Sequence, residues 1–315
     1  MPIFRRFDSR TLLLLLLGGL MLVAGSLEPR FFTGANLLNV LRQSSIIGVI
    51  SLGMTVVILT GGIDLSVGSV LSLSVLFAAS ASKTGLPAPV AWACALLAGA
   101  GLGWINGFGV SRLRLPPFIV TLGMMGFARG LSFIYTGGAP ITGFDALFRL
   151  PGTGVFAGIP APALLFGVAF IIVFVLLERC PWGEHIRNTG SNPVAAWGSG
   201  IDVPGTISKV YVLCGLLSAL AGLMLVGRLD SAQPGAGVGY EFGAIAAVVL
   251  GGTSFSGGKG TLAGTILGVL IMGVLENGMN LLNVNPFSEQ VVKGVVIAAA
   301  LVAYGSLGRK SRTAG

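Results

Sequence analysis

The groups that usually carry metal and acid-base chemistry are scarce in this sequence, which has one histidine and three cysteines in 315 residues. Cys94, Cys180 and Cys214 lie far apart and match neither a disulfide framework nor the CxxC pattern of a metal site. They read as small apolar residues. His185 stands beside Glu184 and Arg187 with no second histidine near it, and no GxSxG elbow supplies a nucleophile. No metal site, resident cofactor or catalytic cluster is expected, and the protein is not expected to be an enzyme. Charge is equally sparse. Only 10% of the residues are charged, against about 25% in an ordinary soluble domain, whereas 54% are hydrophobic and the mean hydropathy is +0.91. A chain of this kind is an integral membrane protein.

Apolar runs recur along the whole chain, so 1–315 reads as one transmembrane domain. With about 20 residues needed to span a bilayer, ten segments qualify, near 11–27, 43–61, 66–82, 88–110, 117–136, 163–179, 208–227, 241–253, 261–282 and 288–306. The second, third and eighth are short or lie close to glycine-rich breaks. The expected fold class is therefore all-α with about ten transmembrane helices, some short or broken. The first segment, LLLLLLGGLMLVAG behind RRFDSR, has the look of a signal peptide, but nine further spans leave no soluble domain to export.

Lys and Arg are retained in cytoplasmic loops, and this sets the orientation. With the N-terminus inside, twelve of the nineteen basic residues fall on the cytoplasmic side, among them Arg5, Arg6, Arg112, Arg114, Arg187 and Lys259, whereas Arg30, Lys83, Arg149 and Arg228 fall outside. Both termini are then cytoplasmic, 137–162 is an external loop and 180–209 a cytoplasmic one. The net charge of +8 follows from this bias and from anionic lipid at the inner face, with no nucleic acid implied.

The long cytoplasmic loop contains NPVAAWGSGI. Asn192 suits an N-cap, Pro193 the first helical position and Gly200 the end of a short helix. A helix of this length is marginal in isolation, so it must pack against something. It is either a solvated connector, with Trp197 dipping into the lipid interface, or a docking knob for a cytoplasmic partner. The chain has no nucleotide site of its own. Its Gly258-Lys259 pair is followed by Gly260, where a Walker A loop needs Ser or Thr. GKGTLA at 258–263 matches a dinucleotide pattern but has no βαβ unit around it.

Polar residues inside the spans need an account. An aspartate at bilayer depth costs about 2.5 to 3.5 kcal/mol, yet GGIDLSVGS at 61–69 places Asp64 in an apolar run. It either caps a helix starting near Ser66 or lines a polar route with Ser66 and Ser69, and both readings stand together, because irregular backbone is tolerated where it borders a cavity. Glu276, Asn277 and Asn280 share a helical face by their spacing. A buried Glu276 needs a partner, with Lys293 or Arg129 as candidates. Gly99, Gly103 and Gly107, like Gly264 and Gly268, repeat every fourth residue and point to close helix packing.

Taken together, GGIDLSVGS, LPPFIVTLG at 115–123, RG at 129–130, SAQPGAGVGYEFGAIAAVVLGGTSFSGGKGT at 231–261, NGMNLL at 277–282 and the spacing of Gly190, Asn192, Ala196, Ser199, Gly200 and Ile201 resemble the ribose-type (monosaccharide) ABC transporter permease family from Asn36 onward. The resemblance implies a permease subunit of the bacterial inner membrane that translocates a monosaccharide. It implies a separate ATPase that binds the ATP, an extracytoplasmic sugar-binding protein and a second permease copy or homologue. It places ATPase coupling at Gly190, Asn192, Ala195, Ala196, Ser199 and Gly200, and the pathway at Asp64, Ser66, Ser69, Glu276, Asn277 and Asn280. Three alternatives remain: a permease for branched-chain amino acids or nucleosides, a self-sufficient secondary transporter working through Asp64 and Glu276, and a membrane enzyme.

Overall fold

Backbone groups in hydrocarbon must bond within the protein, and the apolar runs accordingly become helices. The computed structural model describes residues 9–285, 287–296 and 298. In chain order it contains α1 (Ser9–Leu27), a 3-10 turn (Pro29–Phe32), α2 (Gly34–Leu59), α3 (Val67–Lys83), α4 (Ala88–Ser111) and α5 (Pro117–Thr136). Next come β1 (Ile141–Thr142), α6 (Ala146–Thr153), β2 (Val155–Phe156), β3 (Ile159–Pro160), α7 (Ala161–Glu178), α8 (Pro181–Ser191) and α9 (Pro193–Gly198). The order closes with α10 (Val203–Leu229), β4 (Ser231–Ala232), α11 (Tyr240–Leu250) and α12 (Leu262–Leu281), and residues 287–296 are helical.

Seven of these helices, α1, α2, α4, α5, α7, α10 and α12, are long and apolar enough to cross a membrane. α3 and α11 are apolar but shorter. At 1.5 Å per residue the 11 residues of α11 reach only about 16 Å, half of the roughly 30 Å hydrocarbon core. The rest of the expected tenth span, 297–306, lies outside the described residues apart from residue 298.

α2 and α10 form the centre. Leu52, Val56 and Val57 of α2 and Val210, Tyr211 and Cys214 of α10 are fully buried, with Val173 of α7 and Val248 of α11 closing around them. The glycine repeat on α4 makes its packing possible. An ideal Cβ at Gly99 would stand 2.4 Å from the Gly215 carbonyl oxygen, one at Gly103 would stand 2.2 Å from that of Tyr211, and one at Gly107 would stand 2.8 Å from Ser208 Cα. α4 and α10 therefore touch backbone to backbone, which in lipid replaces the missing hydrophobic drive with close packing. Gly264 and Gly268 bring α12 against Ala247 of α11 and against Gly251 just past its end in the same way. α1 is peripheral, and Leu17, Leu20, Met21 and Ala24 pack inward against Phe31, Val40 and Val274.

Two connections depart from the sequence expectation. The 137–162 segment is not a plain loop. Asp145 caps α6 by accepting from the Phe148 N–H at 2.6 Å, β1 pairs antiparallel with β4, and β2 pairs with β3. These two-residue ladders are the strands that the all-α reading left out. Likewise 180–209 is mostly helical, with α8 ahead of the knob and α10 starting at Val203, not near 208.

The two ends of the molecule are distinguished by their contacts. At one, the Lys83 ammonium donates to Gly143 O at 2.6 Å, and Arg149 pairs with Asp230 at 3.2 Å. At the other, the start of α10 meets α9, and Leu59 O accepts from Gly258 N at 2.9 Å.

Candidate functional site

Three places carry the polar residues singled out above. The first is the break between α2 and α3. Gly61 has a φ of +79°, which turns the chain out of α2. Asp64 Oδ1 then accepts from both Ser66 N (2.9 Å) and Ser66 Oγ (2.6 Å). Asn106 of α4 donates to Ser66 Oγ at 2.9 Å, and Tyr211 of α10 donates to Ile63 O at 3.2 Å. Asp64 thus closes a local turn. It does not cap α3 directly, because the cap position falls to Ser66, whose side chain makes no capping bond. Asp64 is 1% exposed, and Ser66 and Ser69 are also buried. Within one chain this cluster pins three helices together and does not face an open space.

The second place is a cavity of about 490 Å³ between α2, the start of α11, α12 and the 287–296 helix. Its polar lining is Gln43, Tyr240, Glu276, Glu289, Gln290 and Lys293. Glu276 pairs with Lys293 at 2.7 Å, so of the two partners weighed from sequence Lys293 takes the role. Arg129 instead faces Glu241 at 3.8 Å. The expected trio on α12 separates by role. Glu276 lines the cavity, Asn277 is buried and exchanges hydrogen bonds with Asn36, and Asn280 is exposed and donates to Glu276 O.

The third place is the knob. Asn192 Oδ1 accepts from Val194 N (3.1 Å) and Ala195 N (3.0 Å), with Pro193 at the first helical position, as the sequence predicts. Gly200, at φ +85°, turns the chain past the helix end. The six residues expected to meet a partner do not share a face. Ala195, Ser199 and Gly200 are exposed, but Ala196 is buried against the rest of the chain. Gly190 also faces inward, because a Cβ there would sit 1.9 Å from Leu59 O and 2.7 Å from Gly258 N. The most outward apolar side chains are Val194 (76% exposed) and Trp197 (72%). Arg187 ties α8 to the loop before α12 by donating to Gly260 O at 3.0 Å and to the end of α7 by its ion pair with Glu178. The base of the knob is therefore clamped to the end of α2 and to the loop before α12.

A family described as branched-chain amino acid transport system / permease component matches residues 36–301. The chain belongs to this permease family. It is 49% identical to the ribose import permease of Bacillus subtilis over 285 residues, 90% of this chain and 88% of the relative. Its identity to the ribose import permease of Escherichia coli K12 is 46% over 299 residues, 94% of this chain and 92% of the relative. The D-allose transport system permease of Escherichia coli K12 is 38% identical over 281 residues, 89% of this chain and 86% of the relative. No solved structure matches. The permease is thus a multi-pass membrane protein, and the relatives it matches are transport permeases.

Sequence reasoning passed over three residues that the structure places at polar junctions: Asn36, Tyr211 and Glu241. Glu241 had a local signal, an acidic residue in the first turn of an apolar helix, where the helix dipole favours it. Asn36 and Tyr211 had none, since their partners lie on distant helices.

Proposed function

We propose that this chain is the membrane-spanning subunit of an ATP-driven importer that passes a monosaccharide, ribose or a close relative, through the bacterial inner membrane. In this reading it crosses the membrane ten times, keeps both termini cytoplasmic and performs no chemistry on its cargo. A separate ATPase binds the nucleotide, an extracytoplasmic protein delivers the sugar, and a second copy or homologue completes a central route. Relatives named as ribose and allose permeases support the cargo class.

The observation that carries the proposal is the knob. A capped helix with Val194 and Trp197 exposed stands on the end of the molecule where α2 breaks, and its base touches Leu59 and Gly258 through Gly190. Isolated apolar side chains on a short helix have a use if a partner's groove receives them. Movement of that partner then reaches the 61–66 turn and the loop before α12 through backbone contact. Along the route Glu276 and Asn280 offer polar groups, while Asp64, Ser66, Ser69 and Asn277 frame its wall.

The family description raises branched-chain amino acids as a second reading. The sugar reading is preferred on the named relatives; in the cavity Gln43, Gln290 and the Tyr240 hydroxyl offer neutral partners for a polyol, while Glu289, Ile47, Val238 and Phe242 also line it. The test is reconstitution of the permease in vesicles with its ATPase and binding protein, and comparison of labelled ribose with labelled leucine. ATP-dependent uptake of ribose alone is expected, and uptake of leucine alone would replace the reading with the second one.

A further inference from the structure

Arg129 lies in the middle of α5, twelve residues after Pro117 and seven before Thr136, or about 18 Å and 10 Å along the axis. This puts a guanidinium inside the hydrocarbon zone, where an ionisable group persists only if it faces protein or water. Its single carboxylate neighbour among the described residues is Glu241, at 3.8 Å. That distance is too long for a hydrogen bond, and the described residues give the five N–H donors of Arg129 no acceptor within bonding reach.

Glu241 has contacts besides Arg129. Its Oε2 accepts from Gly239 N at 3.2 Å, and the carboxylate lies in the first turn of α11. It also lies against the first turn of α3, since a Cβ at Gly68 would meet Glu241 Oε2 at 2.6 Å. Two helix N-termini, each equivalent to roughly half a positive charge, already offset the carboxylate. The guanidinium is therefore not the carboxylate's sole compensation, and it is the exposed member of the pair, at 33% against 3% for Glu241. The same helix carries Gly123, Gly126 and Gly130, each exposed with no atom near an added Cβ. Ile119, Phe127 and Ile134 are exposed on the same face, so this side of α5 is left uncovered within one chain. Arg129 borders this uncovered side, and because a guanidinium at this depth must face protein or water, the side is one that a second copy and a polar route between the copies would cover.

We infer that Arg129, held by Glu241, is a binding residue on that route, where it donates hydrogen bonds to adjacent hydroxyl oxygens of the passing sugar. A planar guanidinium presents paired donors in a fixed fork, which matches two neighbouring hydroxyls. The long separation from Glu241 leaves those donors free while keeping the side chain oriented. This inference rests on the importer reading above and adds a specificity residue to it.

The test uses the reconstituted complex of permease, ATPase and binding protein, with Arg129→Lys and Arg129→Gln. Both are expected to lower the sugar moved per ATP hydrolysed by about tenfold or more, the usual effect of losing hydrogen bonds from a charged donor. Complex assembly and binding-protein-stimulated ATP hydrolysis should stay within about twofold of wild type. Arg129→Lys decides the matter, because it keeps the positive charge beside Glu241 but lacks the fork. If Lys restores wild-type transport, Arg129 is only a counter-ion and the inference is overturned. If Arg129→Lys fails to assemble, the role is structural and the inference is likewise overturned. A wild-type complex that moves no sugar would instead sink the importer reading itself, which keeps the two failures apart.

Discussion

Asn36 in the first turn of α2 and Asn277 near the end of α12 exchange two amide hydrogen bonds, each 2.9 Å long, across 241 residues of sequence. Each side chain is donor and acceptor to the other, and Asn36 also donates to Phe31 O at 2.9 Å. The pair joins the helix that breaks at Gly61 to the helix that carries Glu276. Replacing Asn277 with Leu leaves the half-buried Asn36 amide without its main partner and should destabilise the protein by about 1 to 2 kcal/mol. A double-mutant cycle with Asn36→Leu, read by thermal unfolding in detergent, should return a coupling of about 0.6 to 1.7 kcal/mol. Additive effects would mean that the two amides do not act as a unit.

At Asp64 the prediction turns on what the carboxylate does. Its Oδ1 accepts two hydrogen bonds from Ser66, and an amide oxygen accepts as well. Asp64→Asn should therefore keep sugar uptake within about twofold of wild type, whereas Asp64→Leu, which removes the acceptor from a buried turn, should lower the amount of assembled permease. Loss of uptake in the Asn variant with assembly intact would assign the charge itself to transport.

The knob separates outward from inward residues. Trp197→Glu and Val194→Glu alter side chains that stand in the open, so the permease should reach the membrane in normal amount but lose copurification of its ATPase and ATP-driven uptake. Ala196→Glu instead forces a charge into a buried contact and should reduce the level of folded permease. Retention of the ATPase by both outward variants would remove 190–201 as the docking element.

Packing of α4 on α10 leaves no space at Gly103. Gly103→Leu must push the helices apart and should cost about 1 to 3 kcal/mol or more of stability. Gly101→Ala, which meets no atom within 4 Å, should be neutral or slightly stabilising through helix propensity. Equal melting temperatures for the two variants would contradict the backbone contact.

Topology is open to labelling. Thr142 and Ser191 are both exposed and lie towards opposite ends of the molecule. A cysteine at Thr142 should react with an impermeant thiol reagent in intact cells, and one at Ser191 should react only after permeabilisation. The reverse pattern would invert the proposed orientation.

Much of this architecture is legible in the sequence because it rests on local properties. Hydropathy and length mark the spans, a run of bonds within each helix being the only way to satisfy backbone in lipid. The Asn192–Pro193 start of the knob depends on neighbouring residues alone, and the α4 glycine repeat announces a close contact without naming the partner. The tertiary structure decided direction and pairing. Nothing local says that Ala196 turns inward while Trp197 turns out, that Asp64 is sealed behind Ser66 and Asn106, or that Glu276 takes Lys293 and leaves Arg129 to Glu241. Burial and charge pairing depend on which helices become neighbours, and that is set by the whole set of packing faces at once, through contacts between residues that the chain itself keeps far apart.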